Sequence, residues 1–154
     1  MQGHPEVIQH LNDLLAGELM ARDQYFLHAR MYENWGFSKL YERIWHETQE
    51  ETEHADRLIA RILFLGGVPA MKPLEVKVGH DVPSMLARDL EVEYEVVTTL
   101  REAMACCEKQ QDYITRDMLL DLLRDTEEDH AHWLEQQLNL IKQIGLQNYL
   151  QSQA

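Results

Sequence analysis

Cysteine is nearly absent: the 154 residues hold two, Cys106 and Cys107, side by side. An adjacent pair with no Cys-x-x-Cys argues against a disulfide framework, a zinc knuckle or a rubredoxin-type domain, and fits a reducing cytoplasm. Basic charge is also scarce, with 14 Lys and Arg against 27 Asp and Glu and a net charge of −13. Phosphate backbones need a basic face, so nucleic acid is not an expected partner. The acidic surplus either attracts cations or keeps the chain soluble. No apolar run approaches the ~18 residues of a membrane span. Met1-Gln-Gly-His-Pro-Glu6 has no basic stretch followed by an apolar one, so no secretory signal and no membrane partner are expected. Apolar residues at 45% and charged residues at 27% describe an ordinary globular chain, read as one domain over 1–154.

What the chain does have is long helical periodicity. Residues 5–34 carry Val7, Leu11, Leu14, Leu15, Glu18, Ala21, Tyr25 and Ala29 at helical spacing, opened by Pro5 and closed at Asn34-Trp35-Gly36. Residues 38–65, with Ser38 as a candidate cap, carry Leu40, Ile44, Glu47, Glu51, His54, Ala55, Leu58 and Ile62. A third helix over 84–111 carries Leu86, Leu90, Glu93, Val97, Leu100 and Met104. A fourth over 113–144, capped by Asp112, carries Leu119, Leu123, Glu127, His130, Leu134, Leu138 and Ile141. Gly145 stops it, and Leu146 to Gln151 read as a short fifth helix. Its apolar face, Leu146, Tyr149 and Leu150, is expected to bury against neighbouring subunits, with Asn148 and Gln151 lining a pore.

The connection over 66–82 is unusually long for a compact domain. It holds Gly66, Gly67, Pro69, Pro73 and Gly79, and around Val76 and Val78 it reads as partly extended. Such a segment can climb a bundle of ~28-residue helices, each about 42 Å long, so that helices two and three run parallel. One long crossover in the middle of four helices is the ferritin-like topology. The predicted fold is all-α: a ferritin-like four-helix bundle with that crossover and a short C-terminal fifth helix.

Acids and histidines interrupt the apolar stripes. Glu51-Thr-Glu-His54 and Glu127-Glu-Asp-His130 are both Glu-x-x-His, and residues three apart on an α-helix share a face. Lone Glu18 and Glu93 sit on the stripes of the other two helices. A Glu-x-x-His from each of two helices and a Glu from each of two others form a carboxylate dimetal site. Oxygen and imidazole donors without thiolate suit iron or manganese. Four carboxylates balance two divalent ions, whereas the empty cluster would be costly through desolvation and repulsion. A plain bundle whose polar residues satisfy one another is the bland alternative. His46, Glu47 and Glu50 lie beside this face and could hold a further metal or form a solvated surface. Tyr25 is either a redox-active neighbour or core. Trp35 and Trp133 read as packing, and His28, His132 and the cysteines receive no role.

The chain resembles a bacterioferritin over essentially its whole length. The resemblance is carried by Val7-Ile-Gln-His-Leu-Asn12, Asp23-Gln-Tyr-Phe-Leu-His28, His54-Ala-Asp-Arg-Leu-Ile59, Arg61-Ile-Leu-Phe-Leu65, Leu100-Arg-Glu-Ala103, Thr115-Arg-Asp117 and Asn148-Tyr-Leu-Gln-Ser152, with the six candidate ligands. It implies a cytoplasmic hollow shell of twenty-four subunits that oxidises ferrous iron with oxygen or peroxide and stores a ferric mineral. It implies two irons per subunit bridged by Glu51 and Glu127, with Glu18 and His54 on one and Glu93 and His130 on the other. His46 and Glu50 match inner-surface iron ligands of some members. Haem-binding subunits carry Met directly after the bridging Glu of helix two. Here Thr52 stands there, so the likeness is to the bacterial ferritin type that lacks the haem ligand. Haem is not expected in the homopolymer. Co-assembly with a Met-bearing subunit and a ferredoxin reductant are the partners the resemblance adds. Two other classes compete: a non-storage di-iron oxidoreductase acting on peroxide or a small organic substrate, and a purely structural co-assembling subunit.

Overall fold

The computed structural model describes residues 1–154. Helix α1 spans Pro5–Asn34, with Pro5 in its first turn and His4 as its cap. His4 Nδ1 accepts from the Glu6 N–H at 3.1 Å. Gly36 reverses the chain at φ +85°, a region where a side chain is strained. Helix α2 spans Ser38–Phe64. Ser38 is its first helical residue rather than its cap. The bond from Phe37 N to Tyr32 O, 3.0 Å, closes α1 and leaves Phe37 in the cap position without a side-chain bond.

The crossover runs along α1 in the direction of α1, which the order of its contacts establishes. Near the start of α1, Gly3 N donates to Leu65 O at 2.7 Å, and Asn12 meets Val68 O and Ala70 N at 3.2 and 2.7 Å. Farther along, Lys77 N donates to Gln24 Oε1 at 3.0 Å and Gly79 N donates to His28 Nε2 at 3.1 Å. The chain thus returns to the end of the bundle where α2 began, and α2 and α3 run parallel, as the length of the connection predicts. No regular strand forms around Val76 and Val78. At Gly79 a Cβ would stand 2.5 Å from Met85 N, so only glycine permits the close approach to α3. Helix α3 spans Val82–Lys109, starting slightly earlier than predicted. Asp81 and Ser84 cap it reciprocally, with Ser84 N donating to Asp81 Oδ1 at 2.9 Å and Asp81 N to Ser84 Oγ at 3.1 Å.

The last long helix differs from its prediction. It is not uniform over 113–144. Helix α4 covers Tyr113–Arg124, a π-helical stretch covers Asp125–Ala131, and α5 covers His132–Ile144. The second Glu-x-x-His lies inside the π stretch. Thr126 Oγ1 donates to Leu122 O at 2.8 Å, four residues back. Such back-bonding competes with the regular helical ladder.

Gly145 at φ +82° turns the chain into α6, Leu146–Ser152. Tyr149 on α6 is fully buried within this chain, and its hydroxyl donates to Gln137 Oε1 at 2.8 Å. Lys39 N donates to Gln153 O at 3.1 Å. Tyr149 therefore docks on this chain's own bundle, while Leu146, from the same apolar face, stays exposed and Leu150 half-buried. Asn148 Nδ2 donates to Ile144 O at 2.7 Å and so caps α5. Tyr149→Ala should cost about 3 kcal/mol, the scale of an aromatic deletion from a core. Thermal melting of the variant checks this; an unchanged midpoint would mean that α6 is not part of the folding unit.

Candidate metal centre

Five of the six predicted ligands converge inside the bundle. Glu18, Glu51 and His54 form one group of three donors within 4.8 Å of one another, and Glu51, Glu93 and His130 form a second. All five are essentially buried. Their placement follows from helical spacing: Glu51 and His54 lie on one face of α2, while Glu18 and Glu93 interrupt the inward stripes of α1 and α3. Glu51 belongs to both groups. Its Oε2 lies 3.7 Å from His54 Nδ1 and its Oε1 lies 3.0 Å from His130 Nδ1. Glu18 Oε2 lies 3.0 Å from His54 Nδ1, and Glu93 Oε1 lies 3.5 Å from His130 Nδ1. The two imidazoles face each other with centroids 5.9 Å apart and planes 16° from parallel.

Glu127 is not in either group. Its side chain is 35% exposed and accepts from Arg101 Nη2 at 2.5 Å. The cause is the π winding. Where backbone bonds run i→i+5, a spacing of three residues no longer brings side chains to a common face. His130 keeps its inward position and Glu127 turns toward solvent.

The second-tier candidates are joined to the centre through His130. Its Nε2 lies 2.7 Å from Glu47 Oε2 and 2.5 Å from Glu50 Oε2. Glu47, Glu50, Asp129 and His130 form a further group of donors. Arg43 spans that group, donating to Glu47 Oε1 at 2.7 Å and to Asp129 Oδ1 at 2.8 Å. His46 stands beside it, 2.8 Å from Glu50 Oε1, with its side chain 57% exposed. Tyr25 is buried and donates its hydroxyl to Glu93 Oε1. Thr52 is exposed on α2, and its hydroxyl donates to Thr48 O at 2.8 Å. Trp133 packs under the Arg43 guanidinium, 4.8 Å from its ring centre, whereas Trp35 is 40% exposed.

The electrostatics mark a site built for positive charge. Burial, then the nearby Glu51 carboxylate, raises the Glu18 pKa to about 8. Burial also raises Glu93. Burial opposes charge on His54, yet its bonds to Glu18 and Glu51 outweigh it and lift the pKa to about 11. Burial likewise opposes charge on His130, and bonds to Glu47 and Glu50 lift it well above the ordinary imidazole value. The His130 bond holds Glu50 down at about 2. The carboxylates around both imidazoles thus favour positive charge at the two donor groups.

The donor set fits two metal ions. Every inward donor is carboxylate oxygen or imidazole nitrogen, which suits iron or manganese. Glu18 Oε1, Glu51 Oε2, Glu93 Oε2 and His130 Nδ1 are buried without a hydrogen-bond partner. Buried polar atoms without partners are costly, and a concentration of them at one point is what bound ions would satisfy.

Several residues at the centre carry no sequence prediction. From the π stretch Asp125 meets His54 at 3.0 Å and Asp129 meets Arg43 at 2.8 Å, and from α3 Arg101 meets Glu127. Gln24, His28 and Asp89 form a buried network beside it: Gln24 Nε2 donates to Asp89 Oδ1 at 2.9 Å, and His28 Nδ1 lies 2.8 Å from the same oxygen. This network holds the crossover on α1 and α3. The run of acids in Asp125-Thr-Glu-Glu-Asp129 is the only advance signal of Asp125 and Asp129.

A bundle of antiparallel and crossover-linked helices that gathers carboxylates and imidazoles around two adjacent points defines a ferritin-like protein. The chain belongs to that family: the ferritin-like domain matches residues 8–144. It is 61% identical over 153 residues to the bacterial ferritin of Pseudomonas aeruginosa, covering 99% of each chain. It is 60% identical over 154 residues to the bacterial ferritin of Synechocystis, again covering 99% of each. To the bacterioferritin of Brucella melitensis it is 39% identical over 155 residues, covering 100% of this chain and 96% of that one.

Proposed function

We propose that this chain stores iron, oxidising ferrous ions at a ferroxidase centre of Glu18, Glu51, His54, Glu93, Glu127 and His130 and holding ferric mineral inside a shell of twenty-four subunits. The observation that carries the reading is Glu51, whose two oxygens face the two histidines from one buried carboxylate. A carboxylate so placed can hold two ions side by side, and bridging keeps them close enough for two-electron chemistry. Ferrous iron is the substrate. Two ferrous ions give up one electron each, and oxygen takes the two electrons with two protons to leave hydrogen peroxide. With peroxide as oxidant, the same two electrons and two protons leave two waters.

Each side chain has a task. Glu18 and His54 hold one ion and Glu93 and His130 the other, with Glu51 between them. Glu127 is the second bridge in this reading. In this structure it accepts from Arg101, so bridging requires its carboxylate to leave that bond and turn inward. Tyr25 orients Glu93 through its hydroxyl. Glu47 and Glu50, with His46 at the rim, give iron a path on the far side of His130. The chain is a cytoplasmic homo-oligomer in this reading, able to co-assemble with a haem-binding subunit and to use a ferredoxin reductant through it. Anaerobic ferrous titration followed by oxygen, read by absorbance and native mass together, tests the whole reading. Two irons per chain taken up before the oxidant, and hundreds held per shell after it, are expected. A dimer that keeps two irons per chain would instead support a non-storage oxidoreductase.

The homopolymer should carry no stoichiometric haem. A thioether suits haem iron as an axial ligand. The Thr52 hydroxyl is a harder donor, shorter in reach, and already bonded to Thr48 O. Offered haem, the unaltered protein should give no Soret band of stoichiometric size, and Thr52→Met should gain a six-coordinate spectrum. Stoichiometric haem with two thioether ligands in the unaltered protein would transfer the role to another methionine.

A further inference from the structure

We propose that Asp125 is a positioning residue for His54, accepting its Nε2–H and so presenting Nδ1 to the metal. The inference rests on the dimetal reading above. His54 Nε2 lies 3.0 Å from Asp125 Oδ2, while Nδ1 lies 3.0 Å from Glu18 Oε2 on the opposite edge of the ring. Without metal both ring nitrogens face carboxylates and both can carry a proton. An ion held by Glu18 and Glu51 would take the place of the Nδ1 proton, while the Nε2–H stays on Asp125, so Nδ1 is the nitrogen free to ligate. Ligating histidines are commonly oriented in this way by an outer carboxylate.

Three further observations separate this role from direct ligation. Asp125 belongs to neither of the two inward donor groups. Its side chain is 53% exposed, whereas Glu18, Glu51 and Glu93 are buried. The same plan recurs at the other histidine. His130 Nδ1 faces Glu51 at 3.0 Å, and its Nε2 meets Glu47 at 2.7 Å and Glu50 at 2.5 Å. Each imidazole thus turns one nitrogen to the shared Glu51 and the other to a carboxylate outside the pair of inward groups. At His130 those outer carboxylates come from α2, and at His54 the outer carboxylate comes from the π stretch. Asp125 opens that stretch, directly after Arg124. The winding that turns Glu127 outward is the winding in which Asp125 reaches His54 across the bundle.

Anaerobic titration of the assembled full-length protein with Co(II), followed by visible absorption and calorimetry, tests the assignment. The unaltered chain should bind two ions. Asp125→Ala should bind one of them about 10–100-fold more weakly, with an altered visible spectrum and an unchanged metal-free melting temperature. Asp125→Asn keeps the size, but its amide NH2 can donate to Nε2 and favour the opposite tautomer, so it should not restore the unaltered affinity and spectrum. Wild-type affinity and spectrum in either variant would overturn the inference. If the unaltered chain takes up no Co(II), the dimetal reading itself fails and carries this inference with it.

Discussion

Replacing Glu51 with alanine should abolish the fast phase of ferrous oxidation. Loss of an outer-shell group typically lowers metal affinity or activity about 10–100-fold. Glu51 is an inward donor shared by both halves of the centre, so its removal should exceed about a hundredfold. The effect has two sources. The two ions lose the carboxylate that faces both histidines, and His54 and His130 each lose a contact that fixes the ring. Glu51→Gln separates these sources, because the amide keeps the size but offers one oxygen instead of two. It should bind the first ion and fail at coupled oxidation. Glu127→Ala makes a different prediction. Its side chain is partly exposed and held only by Arg101, so folding stability should change by about 0.5 kcal/mol or less. The fast phase should nevertheless be lost if Glu127 swings in to bridge. Stopped-flow absorbance on both variants, with circular dichroism to establish the fold, makes the comparison. Normal kinetics in Glu51→Ala would remove the dimetal centre; normal kinetics in Glu127→Ala alone would remove only the second bridge.

The contrast between these residues also marks how far the sequence is legible. Helices α1 to α3 were readable because their apolar spacing, Pro5 and the glycines at the turns act locally. The parallel course of α2 and α3 was readable from the length of the connection, although nothing local names Asn12, Gln24 and His28 as the residues that hold it. Four of the inward ligands were readable because Glu18, Glu51, His54 and Glu93 lie on helices wound as α throughout. The spacing rule that found Glu127 and His130 assumes the same winding, and the π stretch breaks it. A helical stripe does not report winding, and one back-bonding threonine is a weak signal among many helical threonines. Tyr149 illustrates the other limit. A short apolar face says that the tail must be buried, but not whether its own bundle or a neighbour covers it.

Metal should stabilise the fold, and the gain should grow as pH rises. An ion bound only by the native state adds stability by mass action, ~2.7 kcal/mol at one hundred times its dissociation constant. The pH dependence comes from the protons that stand in for the ions. Folding raises the Glu18 pKa from 4.5 to about 8. Between those values the metal-free folded chain holds a proton that the unfolded chain has released, so stability falls as pH rises through that window. Folding raises His54 from 6.5 to about 11. Its contribution is complete below the unfolded value and is lost as pH climbs toward the folded one. The two effects have the same sign around neutral pH. Glu50, held down at about 2, acts in the opposite sense, but its contribution is lost only as pH falls below 4.5. Bound ions displace the protons on the inward donors and remove most of this dependence. Melting curves from about pH 6 to about pH 8.5, without oxygen and with or without saturating Zn(II), should therefore diverge. The metal-free midpoint should fall across the range and the loaded midpoint should fall less. A metal-induced shift that stays constant as pH rises would show that the ions bind outside the buried cluster, where exposed carboxylates are already charged.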